Sequence, residues 1–128
     1  MKLLLDTHVL LWAAGRPERL SSKARRWLND AENTLVFSVA SLWEVAIKRS
    51  IGRRDFSVDP RQLRRGLLDN GYDELNVTAA HVLALSALPP LHKDPFDRML
   101  VAQSAVEGIT LVTSDRAVAR YSDTIETI

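Results

Sequence analysis

Four acidic residues of this chain stand at positions from which their carboxylates could meet at one site. Asp6 ends a short apolar run, Asp115 follows a second such run, and Asp97 opens a predicted helix. Glu44 lies inside another predicted helix, beside its apolar residues rather than opposite them. Carboxylates that converge repel one another and acquire raised pKa values, and a divalent cation relieves that cost. Oxygen ligands suit a hard ion such as Mg²⁺ or Mn²⁺, which can activate a water and stabilise charge on a phosphodiester.

Each of these acids also has a purely structural explanation. The run Asp94-Pro95-Phe96-Asp97 predicts a helix start, with Asp94 as the N-cap and Pro95 at the first helical position. An acid in the first turn, such as Asp97, is favourable by about 0.3–1 kcal/mol through the helix dipole. Glu44 is harder to explain in this way, because a carboxylate buried among apolar residues needs a partner or a raised pKa. A shared acidic site is therefore a hypothesis that the spacing makes plausible.

Short apolar runs alternate with helical patterns along the chain, which predicts an α/β sandwich. Strands separated by helices pair in parallel through helical crossovers, and such sheets place ligand sites at the carboxyl ends of their strands. Asp6 and Asp115 would both lie at that edge. The predicted strands cover residues 2–5, 34–37, 74–77, 109–113 and 124–128. The predicted helices cover residues 7–14, 22–29, 38–50, 60–70, 78–88, 94–107 and 115–121.

The helix predicted over residues 38–50 has an apolar stripe at helical spacing, which indicates its core-facing side. This stripe consists of Val39, Leu42, Trp43, Ala46 and Ile47. The other two tryptophans also fall in apolar patterns, so we predict packing in the core or at a subunit interface for all three. They are Trp12, Trp27 and Trp43.

Length and composition limit the classes of protein to which the chain can belong. Its 128 residues predict one domain, residues 1–128, and its 46% apolar and 26% charged residues exclude a wholly disordered chain. The absence of cysteine excludes a thiolate nucleophile and a cysteine-based zinc site. The histidines, which we predict to be structural, show no zinc spacing: they are His8, His81 and His92. Asp6 cuts the first apolar run short, so we expect no export signal. Because no stretch approaches the roughly 18 uninterrupted apolar residues of a membrane span, we also expect no span and a cytoplasmic location.

The net charge of +1, from 17 basic and 16 acidic residues, excludes a general attraction to polyanions. Residues 48–65 nevertheless hold seven basic residues against two acidic ones, which is either a local RNA-backbone contact or a solvated helical face. Two further arginines lie beside proposed acids and could contact phosphate or pair with carboxylates. The candidate substrate-binding residues are Lys48, Arg49, Arg53, Arg98 and Arg116.

Four segments resemble, in order, the acidic motifs of PIN-domain ribonucleases, and most of all the VapC-type toxins of bacterial toxin–antitoxin pairs. They are residues 3–8 (LLLDTH), 41–48 (SLWEVAIK), 94–103 (DPFDRMLVAQ) and 111–116 (LVTSDR). The resemblance implies a three-layer α/β/α sandwich around a mainly parallel sheet. It also implies endonucleolytic cleavage of RNA that depends on Mg²⁺ or Mn²⁺.

The resemblance assigns the catalytic and metal-binding roles to four acids, which are Asp6, Glu44, Asp97 and Asp115. Thr113 would support the last of them. We take Asp97 as the third acid because it heads the helix that begins Arg98-Met99-Leu100, and we assign Asp94 a supporting role. The family further implies a homodimer and a VapB-type antitoxin, which would block the site and supply DNA binding for the complex.

Three other functions match the sequence less well. A phospho-acceptor receiver domain also has an acidic Mg²⁺ pocket, but it needs an aspartate after the third strand and a lysine after the last. Here Val77-Thr78 ends the third predicted strand and Arg116 follows Asp115. A phosphatase of the haloacid dehalogenase type needs a second acid two residues after Asp6, where His8 stands. A catalytically dead scaffold would have lost one of the four acids, and none is missing.

Overall fold

The computed structural model, which describes residues 1–128, contains one sheet of five strands that all run parallel. The strands in chain order are β1 (Lys2–Leu5), β2 (Thr34–Ser38), β3 (Asp73–Leu75), β4 (Thr110–Thr113) and β5 (Glu126–Thr127). Their order across the sheet is β3-β2-β1-β4-β5. The first strand of the chain is therefore the central strand, which places the residue that follows it near the middle of the sheet edge.

Seven helices connect the strands. They are α1 (Thr7–Gly15), α2 (Ser22–Asn29), α3 (Val39–Ser50), α4 (Pro60–Asp69), α5 (Ala79–Leu85), α6 (Pro95–Glu107) and α7 (Arg116–Ala119). Two single 3-10 turns, Pro17–Arg19 and Arg54–Phe56, lie within the connections. None of these helices combines the length and the apolar character that crossing a membrane requires.

The helices cover both faces of the sheet, because successive side chains of a strand point to opposite sides. Leu3 and Leu5 belong to one core cluster, which includes buried residues of α1, α2, α3 and α4. Leu4 belongs to a second cluster with buried residues of α6 and α7. All three leucines are fully buried, and each such burial contributes about 1.5–3 kcal/mol. The predicted three-layer α/β/α sandwich with a parallel sheet is confirmed.

Several helices and strands end at residues other than the predicted ones. The third strand covers Asp73–Leu75 rather than 74–77, because the chain turns away after Leu75 to reach the N-cap Thr78. Helix α5 ends at Leu85 rather than at residue 88, where the following Pro89 and Pro90 disfavour helical backbone. Helix α7 ends at Ala119 and does not include the predicted residues 120–121. Strand β5 covers only Glu126–Thr127 and not the predicted residues 124–128.

The predicted core-facing stripe of α3 is confirmed for Leu42, which packs against the core, but is wrong for Trp43, Ala46 and Ile47, which are exposed. Trp43 is 60% exposed and Ile47 is 38% exposed, and the buried face instead contains Ala40, Ser41, Glu44 and Val45. Apolar periodicity assumes that a helix buries its largest apolar residues. In α3 the buried face includes a carboxylate, and small residues let the helix approach α1, where Thr7 donates a hydrogen bond to Ser41.

Candidate functional site

Asp6 stands between β1 and α1, and three protein donors fix its carboxylate. Its Oδ1 accepts a hydrogen bond from the Val9 N–H at 2.8 Å, which makes Asp6 the N-cap of α1. Its Oδ2 accepts hydrogen bonds from the Thr113 hydroxyl and from the Ser114 N–H. Burial raises the pKa of Asp6 above its usual range, although the hydrogen bonds from Thr113, Val9 and Ser114 oppose that rise. The carboxylate therefore has one orientation, set by the ends of β1 and β4.

Glu44 lies on the buried face of α3, and its two oxygens have different surroundings. Oε2 accepts a hydrogen bond from the ammonium group of Lys48, one helical turn later. Oε1 is buried and has no hydrogen-bond partner. Lys48 Nζ also lies 3.6 Å from Asp94 Oδ2, so one cation serves two acids. Burial alone would lower the pKa of Lys48, but its hydrogen bond and charge interaction with Glu44 outweigh burial and raise it.

Asp94 and Asp97 stand at the N-terminus of α6, as their spacing predicts. Asp94 is the N-cap, because its Oδ1 accepts hydrogen bonds from the N–H groups of Phe96 and Asp97 at 2.8 and 3.2 Å. Asp97 lies in the first turn, and burial raises its pKa to about 7. The negative charges of Asp94, Glu44 and Asp6 add to this rise, which His92 opposes. The charges of three other carboxylates therefore act on Asp97.

Asp115 joins the cluster through a histidine. It is the N-cap of α7, with Oδ1 accepting from the Ala117 N–H at 2.8 Å. Its Oδ2 lies 3.1 Å from His92 Nε2, and the same nitrogen lies 3.3 Å from Asp97 Oδ2. Burial acts to raise the pKa of Asp115, but the hydrogen bonds from His92 and Ala117 lower it on balance.

The structure thus brings together the four acids that the sequence singles out, with Thr113 between two of them. The Thr113 hydroxyl donates to Asp6 and accepts from the Asp115 N–H at 3.0 Å. Two observations fit a hard divalent cation among these oxygens. The buried Glu44 Oε1 has no donor. The neighbouring negative charges that add to the burial-raised pKa of Asp97 are a cost that a cation would remove.

The model of the PIN domain family matches residues 3–123, which is most of the chain. This chain belongs to the PIN domain family. The resemblance that the four acidic segments show is therefore confirmed at the level of the family. A receiver domain is excluded by the same match, and Asn76 rather than an acid follows β3.

Relatives with known names support this membership. Ribonuclease VapC22 of Mycobacterium tuberculosis is 29% identical over 115 residues, which are 89% of this chain and 87% of that protein. Among solved structures, VapBC2 of Rickettsia felis, bound to a DNA fragment from its promoter, matches with a TM-score of 0.70 and 15% identity. VapBC-1 of nontypeable Haemophilus influenzae matches with a TM-score of 0.64 and 17% identity. These two matches cover all of this PIN domain and 98% and 97% of the matched chains, and they show a shared fold.

The five predicted substrate-binding cations of this PIN domain have different positions. Lys48 is mostly buried among the acids, as described above. The Arg98 guanidinium points to the carbonyls of Leu85 and Pro89, at 3.4 and 3.5 Å, and so holds the connection between α5 and α6. The remaining three are exposed: Arg49 lies 4.0 Å from Asp59, Arg53 lies 3.9 Å from Asp55, and Arg116 borders an open cleft with Ser114 and Arg120.

The three histidines, which the sequence predicts to be structural, have different surroundings. His8 pairs with the exposed Asp55, and the buried His81 bonds to Glu107 and Thr78, which are structural contacts. His92 instead contacts two of the acids. The sequence carried one signal for this, since His92 stands two residues before Asp94.

A second feature, which the sequence does not predict, is an arginine-lined cleft of about 490 Å³ beside α1. Arg16 and Arg54 border it without an ion-pair partner, and the Arg19 guanidinium lies 5.3 Å from the centre of the Trp12 ring. The Phe56 ring connects the cleft to the acids, because it contacts the His8 ring on one side and the Lys48 ammonium on the other. Arg54 is far in sequence from Arg16 and Arg19, so only the fold brings it beside them.

Proposed function

We propose that this PIN domain is a metal-dependent endoribonuclease and the toxin of a toxin–antitoxin pair. The observation that carries the proposal is the convergence of Asp6, Glu44, Asp97 and Asp115 at the carboxyl edge of the sheet, with one buried Glu44 oxygen left without a donor. The name of the Mycobacterium tuberculosis relative, a ribonuclease, supports RNA as the substrate.

The four acids would hold Mg²⁺ or Mn²⁺, with Thr113 and Asp94 in supporting roles. When bound, such an ion supplies an activated water and stabilises the charge that develops on the phosphodiester. The protein's own contribution is to fix its ligands. Asp6 is held by three donors, Asp94 caps the helix that presents Asp97, and Thr113 sets the distance between Asp6 and Asp115.

RNA would reach the acids along the exposed arginines. Arg49, Arg53 and Arg116 are exposed, and the cleft beside α1 adds Arg16 and Arg54, which have no acidic partner. Phosphate contacts of this kind give affinity without reading the base sequence. The side chains of Lys48 and Arg98 already contact other groups of the protein, so they would act on RNA only by changing these contacts.

The proposal includes the partners of a VapC-type toxin. The solved relatives are VapBC complexes, and one is bound to promoter DNA, so we expect a VapB-type antitoxin, with DNA binding only through it. We also expect a homodimer. Trp43 packs edge-on against Phe96 close to the acids and is 60% exposed. A bound partner protein would cover its exposed ring. A toxin that cleaves cellular RNA acts in the cytoplasm, where we place this protein.

The test is cleavage of total RNA by the purified protein, with Mg²⁺ or Mn²⁺ and with a chelator. We expect discrete cuts that require both the metal and Asp97, so that Asp97→Asn abolishes them. Asp69→Asn, an exposed acid at the end of α4, is the matched control and should cleave like the wild type. Cleavage that persists in chelator or in Asp97→Asn would contradict the proposal.

A further inference from the structure

We propose that His92 is a positioning residue that aligns Asp97 and Asp115 through its Nε2–H and is not itself a metal ligand. This inference rests on the proposed function and goes beyond it, since the four acidic motifs do not include this histidine. Three ligand atoms, one each from His92, Asp97 and Asp115, lie within 4.8 Å of one another, so a direct His-Asp-Asp metal site is the alternative that must be distinguished.

The hydrogen-bond directions identify which nitrogen of His92 carries the proton. The Asp94 N–H donates to His92 Nδ1 at 3.1 Å, so Nδ1 is the acceptor nitrogen of the ring. An imidazole whose Nδ1 accepts has its proton on Nε2. Nε2 faces two carboxylate oxygens, Asp115 Oδ2 at 3.1 Å and Asp97 Oδ2 at 3.3 Å, and both can only accept while ionised. This single N–H therefore hydrogen-bonds Asp115 and lies beside Asp97.

A protonated Nε2 has no lone pair to offer a metal ion. To become a ligand, His92 would have to transfer its proton to Nδ1, and two N–H groups, those of Asp94 and His92 Nδ1, would then face each other. The present arrangement instead resembles the general design in which a group outside the metal shell orients the ligands. His92 links the start of α6 to the start of α7 in this way.

The backbone of His92 is held as firmly as its ring. Its N–H donates to the Tyr121 hydroxyl at 2.9 Å, and that hydroxyl lies 3.4 Å from the His92 carbonyl. Tyr121 thus ties the loop before α6 to the segment after α7. The side chain of His92 is only 18% exposed, so its ring is confined between the acids and the Asp94 backbone.

The first experiment reads the proton directly and requires no cleavage. Nitrogen NMR of the ¹⁵N-histidine-labelled protein should show His92 protonated at Nε2, both without metal and with Mg²⁺ added. His8→Gln and His81→Gln variants assign the three signals. A proton that moves to Nδ1 when Mg²⁺ is added would overturn the proposal in favour of direct ligation.

The second experiment compares His92→Ala with His92→Gln, whose amide can place an N–H near the position of Nε2. Calorimetric Mn²⁺ affinity and the kcat of RNA cleavage should both fall by roughly 10- to 100-fold in His92→Ala. His92→Gln should recover most of the Mn²⁺ affinity, because the donor rather than a lone pair is what matters. Thermal unfolding of each variant checks that the fold is retained.

The outcomes separate this inference from the proposed function. Equal loss of Mn²⁺ affinity in both variants, or no loss in His92→Ala, would overturn the role of His92 while wild-type cleavage remained intact. Failure of the wild-type protein to cleave RNA would contradict the proposed function, and the NMR measurement would still decide the position of the His92 proton.

Discussion

Lys48 lies one helical turn after Glu44 on α3, and its ammonium group satisfies only one of the two Glu44 oxygens. The same ammonium lies 3.6 Å from Asp94 Oδ2 and 4.8 Å from the centre of the Phe56 ring. Lys48 is therefore the internal counter-charge of the acidic cluster. A cation bound among the carboxylates would share that task, which makes the contribution of Lys48 to stability depend on metal.

Replacement of Lys48 by methionine should destabilise the metal-free protein by roughly 3 kcal/mol, because it leaves the buried Glu44 carboxylate unpaired. Saturating Mg²⁺ should recover part of this loss. Urea unfolding with chelator and with Mg²⁺ measures both effects. Arg49→Met is the matched control, and its exposed pair with Asp59 should cost less than about 1 kcal/mol. Equal losses in the two variants would show that Lys48 is not a counter-charge.

Asp97→Asn should stabilise the metal-free protein at pH 8. The pKa of Asp97 is raised from 3.8 to about 7 in the fold, so the native state keeps a proton that the unfolded chain has already released. The Asp97 carboxyl therefore lowers the free energy of unfolding progressively as the pH rises from about 4 to about 7, and the full loss is reached above that range.

We expect a gain of roughly 2 kcal/mol for Asp97→Asn at pH 8, allowing for screening by solvent, and almost none near pH 4. Urea unfolding in chelator at the two pH values measures the difference. Asp69→Asn, at the exposed end of α4, is the control for the substitution itself. A gain that is the same at both pH values would mean that the charge of Asp97 is not the cause.

Substitutions of Asp94 should separate its capping role from a role in chemistry. Asp94→Asn keeps a side-chain oxygen that can cap α6, whereas Asp94→Ala removes the acceptor for Phe96 and Asp97 and should cost about 1 kcal/mol. Thermal unfolding and RNA cleavage are measured on the same samples. Asp94→Asn should retain far more activity than Asp97→Asn. The reverse order would make Asp94 the third acid of the site.

The Thr113 hydroxyl should contribute to both stability and cleavage. Thr113→Val has nearly the same shape but leaves Asp6 Oδ2 and the Asp115 N–H each without one partner, at a cost of about 1–3 kcal/mol. Thr113→Ser keeps the hydroxyl and should restore most of the activity. Thermal unfolding and kcat for the two variants provide the test, and a Val variant as active as Ser would refute the role of the hydroxyl.

The cleft beside α1 should contribute to RNA affinity. Arg54→Ala, made in the inactive Asp97→Asn protein, should raise the Kd for a single-stranded RNA by several-fold. The slope of the logarithm of the binding constant against the logarithm of the salt concentration should become less steep by about 0.7 for each lost phosphate contact. Arg64→Ala is the control, since Arg64 already pairs with Glu74. Fluorescence anisotropy at several salt concentrations measures both quantities. A changed Kd with an unchanged salt slope would exclude a phosphate contact.

Much of the fold could be predicted because its signals are local. The buried runs of β1 and β4 read as continuous apolar segments, and Asp94 and Pro95 mark the start of α6 by their types alone. The ends of elements were less predictable. Whether β3 continues past Leu75 depends on where the chain must go next, not on the propensity of Asn76 and Val77.

The outward position of Trp43 and the contact of His92 with Asp115 could not be predicted for one reason, which is that the whole fold decides which polar groups are buried. On α3 the larger apolar residue Trp43 faces outward and Glu44 is buried, since that face borders Asp97 and Asp6. His92 is separated from Asp115 by 23 residues, and only the start of α7 beside α6 makes them neighbours. A periodic pattern contains neither fact.

The central position of β1 has a consequence for synthesis on the ribosome. β1 pairs with β4 on one side, and Asp6 depends on Thr113, which is made 107 residues later. A nascent chain that has emerged only as far as α5 can pair β1, β2 and β3, but it lacks Asp97, Thr113 and Asp115. The acidic cluster therefore assembles only after α6, β4 and the start of α7 have emerged, and no earlier intermediate of synthesis contains it.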